Sequence, residues 1–260
     1  MLPNVQDLFS LSGRTAVVVG GGGVLAGEIA TGFAGAGANI VIADLSGENA
    51  EKRAAAIRAE GGKAVAVQGN ATQKTDLDRI LTRSVEVYGS VDILLNAAGI
   101  NSGTPFFEID ESEWQRILDI NLRSVFLACQ VFGKHMVDRG QGGAIINISS
   151  ASSGPPLSKV FTYSVTKAGV NQVTQFLARE WAPHRVRVNA ILPGFFPAEQ
   201  NRKLLTPERT SQIMGHTPMA RFGEARELIG AAIYLASDRA ASFVTGTILR
   251  VDGGFMAMTI

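Results

Sequence analysis

The chain has 260 residues, of which 46% are apolar and 18% charged, and its formal net charge is +1. That is enough apolar material for a sizeable core, while the absence of a basic stripe and of a long uncharged run leaves neither nucleic acid nor membrane as an expected partner. The N-terminal MLPNVQDLFSLSGR lacks the charge-then-apolar order of a secretion signal, and a lone cysteine, Cys129, cannot close an intrachain disulfide, so a reducing cytoplasm is the expected setting. Strands are predicted at 15–20, 39–44, 63–68, 91–96, 143–149, 185–192 and 247–251, each a short β-branched run. Helical patterns fill the intervals near 26–35, 47–60, 73–88, 111–138, 161–181 and 225–237. Strands that are apolar on both faces and alternate with helices predict an α/β fold, a doubly wound parallel sheet of about seven strands with helices on both sides. No linker or repeat interrupts 1–260, so one domain is expected. The long strand-free stretch 193–224 suggests a lid near 194–224 with a short helix around 199–214.

The first strand runs into Gly20-Gly21-Gly22-Gly23 and then a helix pattern. Glycines at a strand–helix turn let the backbone approach a pyrophosphate whose charge is favoured at the helix N-terminus. Asp44, ending the second strand, is placed to accept hydrogen bonds from an adenosine ribose and to repel a 2′-phosphate, so NAD(H) is favoured over NADP(H). The fourth strand ends in Asn96-Ala97-Ala98-Gly99, small residues that leave room at the crevice.

Tyr163 and Lys167 lie four apart on the 161–181 pattern and so share a helix face. A cation beside a phenol favours phenolate, giving a group that exchanges protons near neutral pH. Ser150 precedes the tyrosine by 13 residues, with Ser149 as a rival hydroxyl. Three scattered histidines and one cysteine give no metal-ligand spacing, so no metal site is expected.

With Asn121 in DINLRSVF, INISS at 146–150, RVNAILPG at 187–194 and RFGEARELIGAAIYLASDRAASFVTGTILRVDGG at 221–254, these motifs resemble the short-chain dehydrogenase/reductase family over nearly the whole chain. The resemblance implies a Rossmann-type fold and a catalytic set of Asn121, Ser150, Tyr163 and Lys167. In it, Tyr163 is the general acid or base and Lys167 binds the nicotinamide ribose and lowers the phenol's pKa. Ser150 holds the substrate oxygen, and Asn121 kinks its helix and holds a relay water. The implied cofactor contacts are Gly20, Gly23, Leu25, Asp44, Asn70, Ala71, Asn96, Ala98, Gly99, Tyr163, Lys167, Pro193, Gly194 and Phe196. Departures from the family's first turn are Val19, Val24 and Ala26, with Gly23 expected to supply flexibility one position early. Asn70 stands for an aspartate whose oxygen faces the adenine amino group, and Ala198 for a threonine that reaches the nicotinamide carboxamide.

GGGGVL, PGFFPAEQNRKLL and HTPMARFGE resemble the branch of D-mannonate or fructuronate oxidoreductases and related sugar-acid dehydrogenases. A hydroxylated acid needs amides for its alcohols and a cation for its carboxylate. Asn101, Ser152, Gln200, Asn201 and Arg202 are the candidate substrate contacts, with Lys159 at the rim. Phe195, Phe196, Phe106, Phe107 and Trp114 are candidates for an apolar wall. The expected function is hydride transfer between NAD(H) and a secondary alcohol or ketone, a sugar acid or polyol. The alternatives are a 3-oxoacyl-thioester reductase, against which Asp44 argues, and a non-catalytic dinucleotide-binding sensor. The family further implies a homotetramer built through 111–138 and 161–181, and the apolar tail FMAMTI suggests packing on a neighbour.

Overall fold

The computed structural model describes residues 4–197 and 205–258. Seven parallel strands form one sheet in the order β3-β2-β1-β4-β5-β6-β7. They are β1 (Thr15–Val19), β2 (Asn39–Asp44), β3 (Lys63–Gln68), β4 (Ile93–Asn96), β5 (Gly143–Ile148), β6 (Val186–Pro193) and β7 (Ile248–Val251). Each falls on a predicted run. The chain begins with a five-residue helix, α1 (Val5–Phe9), which buries none of its side chains and therefore leaves no apolar period to read.

Successive strand residues feed opposite cores because side chains alternate across a sheet. Ala16, Val18, Ile40 and Ile42 pack under Ile29 and Phe33 of α2 (Val24–Gly35), Ala54 and Ile57 of α3 (Gly47–Ala59), and Ala232 and Leu235 near the C-terminus. Val17, Val19, Val41 and Leu94 face the other way, onto Leu77 and Ile80 of α4 (Lys74–Tyr88) and onto Phe132, Met136 and Val170. Every one of these side chains is nearly or fully buried, at roughly 1.5–3 kcal/mol for each large one.

The predicted helix 111–138 is continuous but carries two π turns. It runs through α5 (Glu111–Leu118), a π turn at Asp119–Arg123, α6 (Ser124–Ala128), a second π turn at Cys129–Gly133 and α7 (Lys134–Arg139). Each π turn adds one residue without altering the apolar character of the stretch, so composition conceals both insertions. Next comes α8 (Phe161–Trp181), whose Thr162, Thr166, Val170, Thr174 and Ala178 make a buried stripe at i+4 spacing. Within the expected lid, α9 (Pro207–Gly215) is capped by Thr206, whose hydroxyl accepts from the Arg209 N–H. The pattern at 225–237 resolves into a 3₁₀ turn, Ala225–Leu228, opened by a Glu224–Glu227 capping box, and then α10 (Ile229–Ala236).

Strand order reverses between β2 and β4 on either side of β1. A crevice opens at the carboxyl ends of strands at such a point. The glycine turn after β1 and the small residues after β4 meet there.

Candidate active site

Two cavities adjoin at the carboxyl edge of the sheet. The larger, of about 1250 Å³, is bordered by Gly20, Gly22, Gly23, Leu25, Asp44, Asn70, Ala71, Ala98, Gly99, Tyr163 and Lys167 among others. The smaller, of about 150 Å³, is bordered by Asn101, Ser150, Ser152, Pro193, Gly194, Phe195, Phe196, Leu205 and Arg209. Leu25, Ile148 and Tyr163 belong to both.

The larger cavity has the chemistry of a dinucleotide cleft. Gly20 takes φ +78°, and a Cβ there would lie 2.7 Å from the Ala98 nitrogen, so only glycine lets β1 turn this close to the β4 loop. Gly23, expected to supply flexibility, precedes α2 in an extended conformation with φ −71°, and the left-handed residue of the turn is Gly20. No side chain caps α2, which leaves its first N–H groups to an anion. The Asp44 carboxylate faces the turn: Oδ2 accepts from Gly22 N at 3.0 Å and Oδ1 from Ser46 N at 3.0 Å. Each oxygen keeps a second lone pair for a ribose hydroxyl. These features fit a bound dinucleotide.

Five expected cofactor contacts are placed differently. The Asn70 amide oxygen already accepts from the Thr72 N–H at 3.0 Å and the Thr72 hydroxyl at 2.8 Å, so it is not the open acceptor expected for an adenine. Asn96 does not border the cleft. Only 3% exposed, it donates to Asn147 Oδ1 at 2.9 Å and to Cys129 Sγ at 3.6 Å, while Asn147 donates to Thr174 Oγ1, a buried ladder tying β4, β5 and α8 together. Pro193, Gly194 and Phe196 lie against the smaller cavity rather than the larger.

Where the cavities meet, Ser150, Tyr163 and Lys167 converge. The Ser150 hydroxyl hydrogen-bonds the Tyr163 phenol and also accepts from the Ser152 N–H and hydroxyl at 3.2 and 3.1 Å. Ser149 points elsewhere, donating to the Lys167 carbonyl at 3.4 Å, and this separates the two rival serines. Lys167 is buried; its Nζ donates to the Ile148 carbonyl at 2.7 Å and stands 5.5 Å from the Tyr163 ring centre.

The expectation that Lys167 depresses the phenol's pKa is corrected. Tyr163 keeps some exposure along the cavity wall, yet burial raises its pKa, opposed only by the Ser150 hydrogen bond. The same burial pulls Lys167 down to about 8. Both charged forms are disfavoured together, so the amine is a weakened cation and the phenol holds its proton at neutral pH.

Asn121 lies fully buried in the first π turn. Its amide donates to the Ile100 carbonyl at 2.8 Å and to Thr166 Oγ1 at 3.2 Å, and its oxygen accepts from Ile100 N at 2.8 Å. Both side-chain donors are therefore engaged in pinning the 99–101 loop to α8. A relay water could still donate to the second lone pair of the Asn121 oxygen, which among the described residues accepts only from Ile100 N.

Of the substrate candidates, Asn101 and Ser152 border the smaller cavity. Glu199, Gln200, Asn201, Arg202, Lys203 and Ala198 lie outside the described residues. Lys159 is exposed and borders neither cavity. Of the apolar-wall candidates, Phe195 and Phe196 border the smaller cavity, beside Leu157, Val160 and Leu205; Phe106 and Trp114 pack on Phe161 at 4.9 and 6.0 Å, and Phe107 is exposed. His216 stacks edge-on against Phe255 at 4.8 Å, and Phe255 is buried within its own chain rather than left for a neighbour. Arg209 was not foreseen, since an arginine in PERTSQIMG carries no motif. Among the described residues no group of three or more His, Cys, Asp or Glu gathers, and no helix is long and apolar enough to cross a membrane.

A family model described as Enoyl-(Acyl carrier protein) reductase matches residues 23–256. The chain is 37% identical over 253 residues to 5-keto-D-gluconate 5-reductase of Escherichia coli K12, covering 97% of this chain and 99% of that one. Its fold matches a Burkholderia cenocepacia gluconate 5-dehydrogenase in complex with NADP and tartrate (TM-score 0.94, 34% identity, 98% and 100% of the two chains). It also matches a candidate D-mannonate oxidoreductase from Haemophilus influenza with bound NAD (TM-score 0.90, 34% identity, 98% and 99%). The chain belongs to the short-chain dehydrogenase/reductase family, and its relatives in the sugar-acid branch are oxidoreductases of secondary alcohols.

Proposed function

We propose that this protein is a dehydrogenase that interconverts a secondary alcohol of a sugar acid with its ketone, working with NAD(H). The convergence of Ser150, Tyr163 and Lys167 where two cavities meet carries this reading. Gly20, the open start of α2 and Asp44 would hold the dinucleotide, and Lys167 its nicotinamide-side ribose. When bound, the nicotinamide supplies hydride exchange. Tyr163 delivers a proton to the substrate oxygen in reduction and removes it in oxidation. Ser150 donates to the same oxygen and favours the charge developing there. Ser152, bonded to Ser150, orients it. The chain needs no metal for this and is expected to act in the cytoplasm.

NAD(H) is favoured because Asp44 presents a carboxylate where a 2′-phosphate would sit. Three structural neighbours with bound NADP lean the other way, and the NAD in the Haemophilus structure agrees. A cofactor-absorbance panel of aldonates, uronates, polyols and hydroxyacyl thioesters with NAD⁺ and NADP⁺ tests substrate and cofactor together. The expected outcome is turnover of sugar acids, with kcat/KM at least about 10-fold higher for NAD⁺, the worth of about 1.4 kcal/mol. Loss of that preference in Asp44→Ala would tie it to the carboxylate. Thioester turnover in place of sugar acids would favour the acyl reductase suggested by the family model's description, and binding without turnover a sensor.

We also propose a homotetramer. Phe126 on α6 and Phe161, Val165 and Phe176 on α8 are exposed apolar side chains on the two helical stretches expected to pair, and burying them on a neighbour supports association. Sedimentation at micromolar concentration should give the tetramer and Phe176→Glu should lower the assembly state; a monomeric wild type overturns the assignment.

A further inference from the structure

The smaller cavity has a charge asymmetry that the catalytic set does not use. Among the described residues that border it, Arg209 is the one charged side chain, and no carboxylate faces it there. Two of its guanidinium nitrogens donate to Ser158, to Oγ at 3.3 Å and to the carbonyl at 3.0 Å, both uncharged partners. Arg209 is half-buried and sits in the first turn of α9, behind the Thr206 cap and Pro207. A cation there stands at the positive end of the helix dipole and is locally disfavoured. Glu208 shares that first turn, yet among the described residues Arg209 forms no ion pair with it or with any other carboxylate, which leaves its charge for a ligand.

We infer that Arg209 recognises the carboxylate of the substrate, on the proposed reading of the protein as a sugar-acid dehydrogenase. Its planar fork offers further N–H donors beyond those given to Ser158, and Ser158 fixes its aim. Ser150 and Tyr163 border the same cavity, so an open-chain acid can present its ketone to them and its carboxylate to Arg209. Asn101 and Ser152 border the space between for the intervening hydroxyls. This assigns to Arg209 the role expected of Arg202.

The test compares 5-keto-D-gluconate with L-sorbose, the neutral ketose that differs by a hydroxymethyl group in place of the carboxylate; if the panel selects another sugar acid, that acid and its neutral counterpart take their place. Arg209→Gln should lower the acid-to-ketose ratio of kcat/KM by about 30-fold, mostly through KM for the acid. Arg209→Lys should lower it by about 3- to 10-fold, because charge remains but the fork does not. Ring closure of the ketose cancels in the ratio, and unchanged melting temperatures exclude misfolding. Equal losses on both substrates in either variant would overturn the assignment while leaving the dehydrogenase reading intact. A wild type that turns over no sugar acid would remove both.

Discussion

Replacing Tyr163 with phenylalanine should lower kcat in both directions by about 10²–10⁴-fold, the range for losing a positioned proton donor. The variant removes one oxygen and keeps the ring that borders both cavities. Because burial raises the phenol's pKa, wild-type Tyr163 is protonated throughout neutral pH and is competent for reduction as it stands. Oxidation needs the phenolate, so the oxidative rate should climb with pH while the reductive rate does not, and Tyr163→Phe should flatten that climb. NADH affinity, read by fluorescence, should change by no more than one hydrogen bond, about 1 kcal/mol. Full activity in Tyr163→Phe would sink the assignment of this residue as the proton carrier.

Lys167 gives the second large effect. Its pKa of about 8 means that the free protein loses the ammonium as pH rises past 8. Above that pH it offers the ribose a neutral amine, so NADH binding should weaken by about 10-fold between pH 7 and 9.5, the scale of one charge-assisted hydrogen bond. The sign also runs backwards: nucleotide that prefers the ammonium raises the lysine pKa in the complex. Lys167→Met should bind weakly at every pH, with no inflection near 8, and kcat should fall by about 10²-fold. The substitution also strands the Ile148 carbonyl that Nζ now satisfies, an added penalty of about 1–3 kcal/mol that thermal melting would register. A pH-independent Kd in the wild type would show that the ammonium does not contact the nucleotide.

Much of this could be read from residues in order. Parallel strands announce themselves because burial on both faces makes them uniformly apolar, as in TAVVV and NIVIAD. Helix 161–181 matched at both ends, since its buried positions recur every fourth residue. The π turns were invisible because one inserted residue shifts the helix phase without changing composition. The pairing of Ser150 with Tyr163 followed from the family resemblance, but the titration of Tyr163 did not. Spacing puts Lys167 near the ring, whereas the pKa depends on how much protein encloses both groups, a three-dimensional quantity. Asn70 fails for a similar reason: its local competitor Thr72, two residues on, takes the oxygen that pattern alone leaves open. Arg209 escaped because its significance lies in its place on the smaller cavity without an ion-pair partner among the described residues, which is visible only once neighbours are placed.

Leu25, Ile148 and Tyr163 border both cavities, a partition that a nucleotide on one side and an acid on the other would share. A partition cannot answer to one occupant alone: any set of side-chain positions that suits the nucleotide is the set the acid then meets. Thermodynamics makes the bargain symmetrical, so whatever factor bound nucleotide lends to substrate affinity, substrate returns to nucleotide in full.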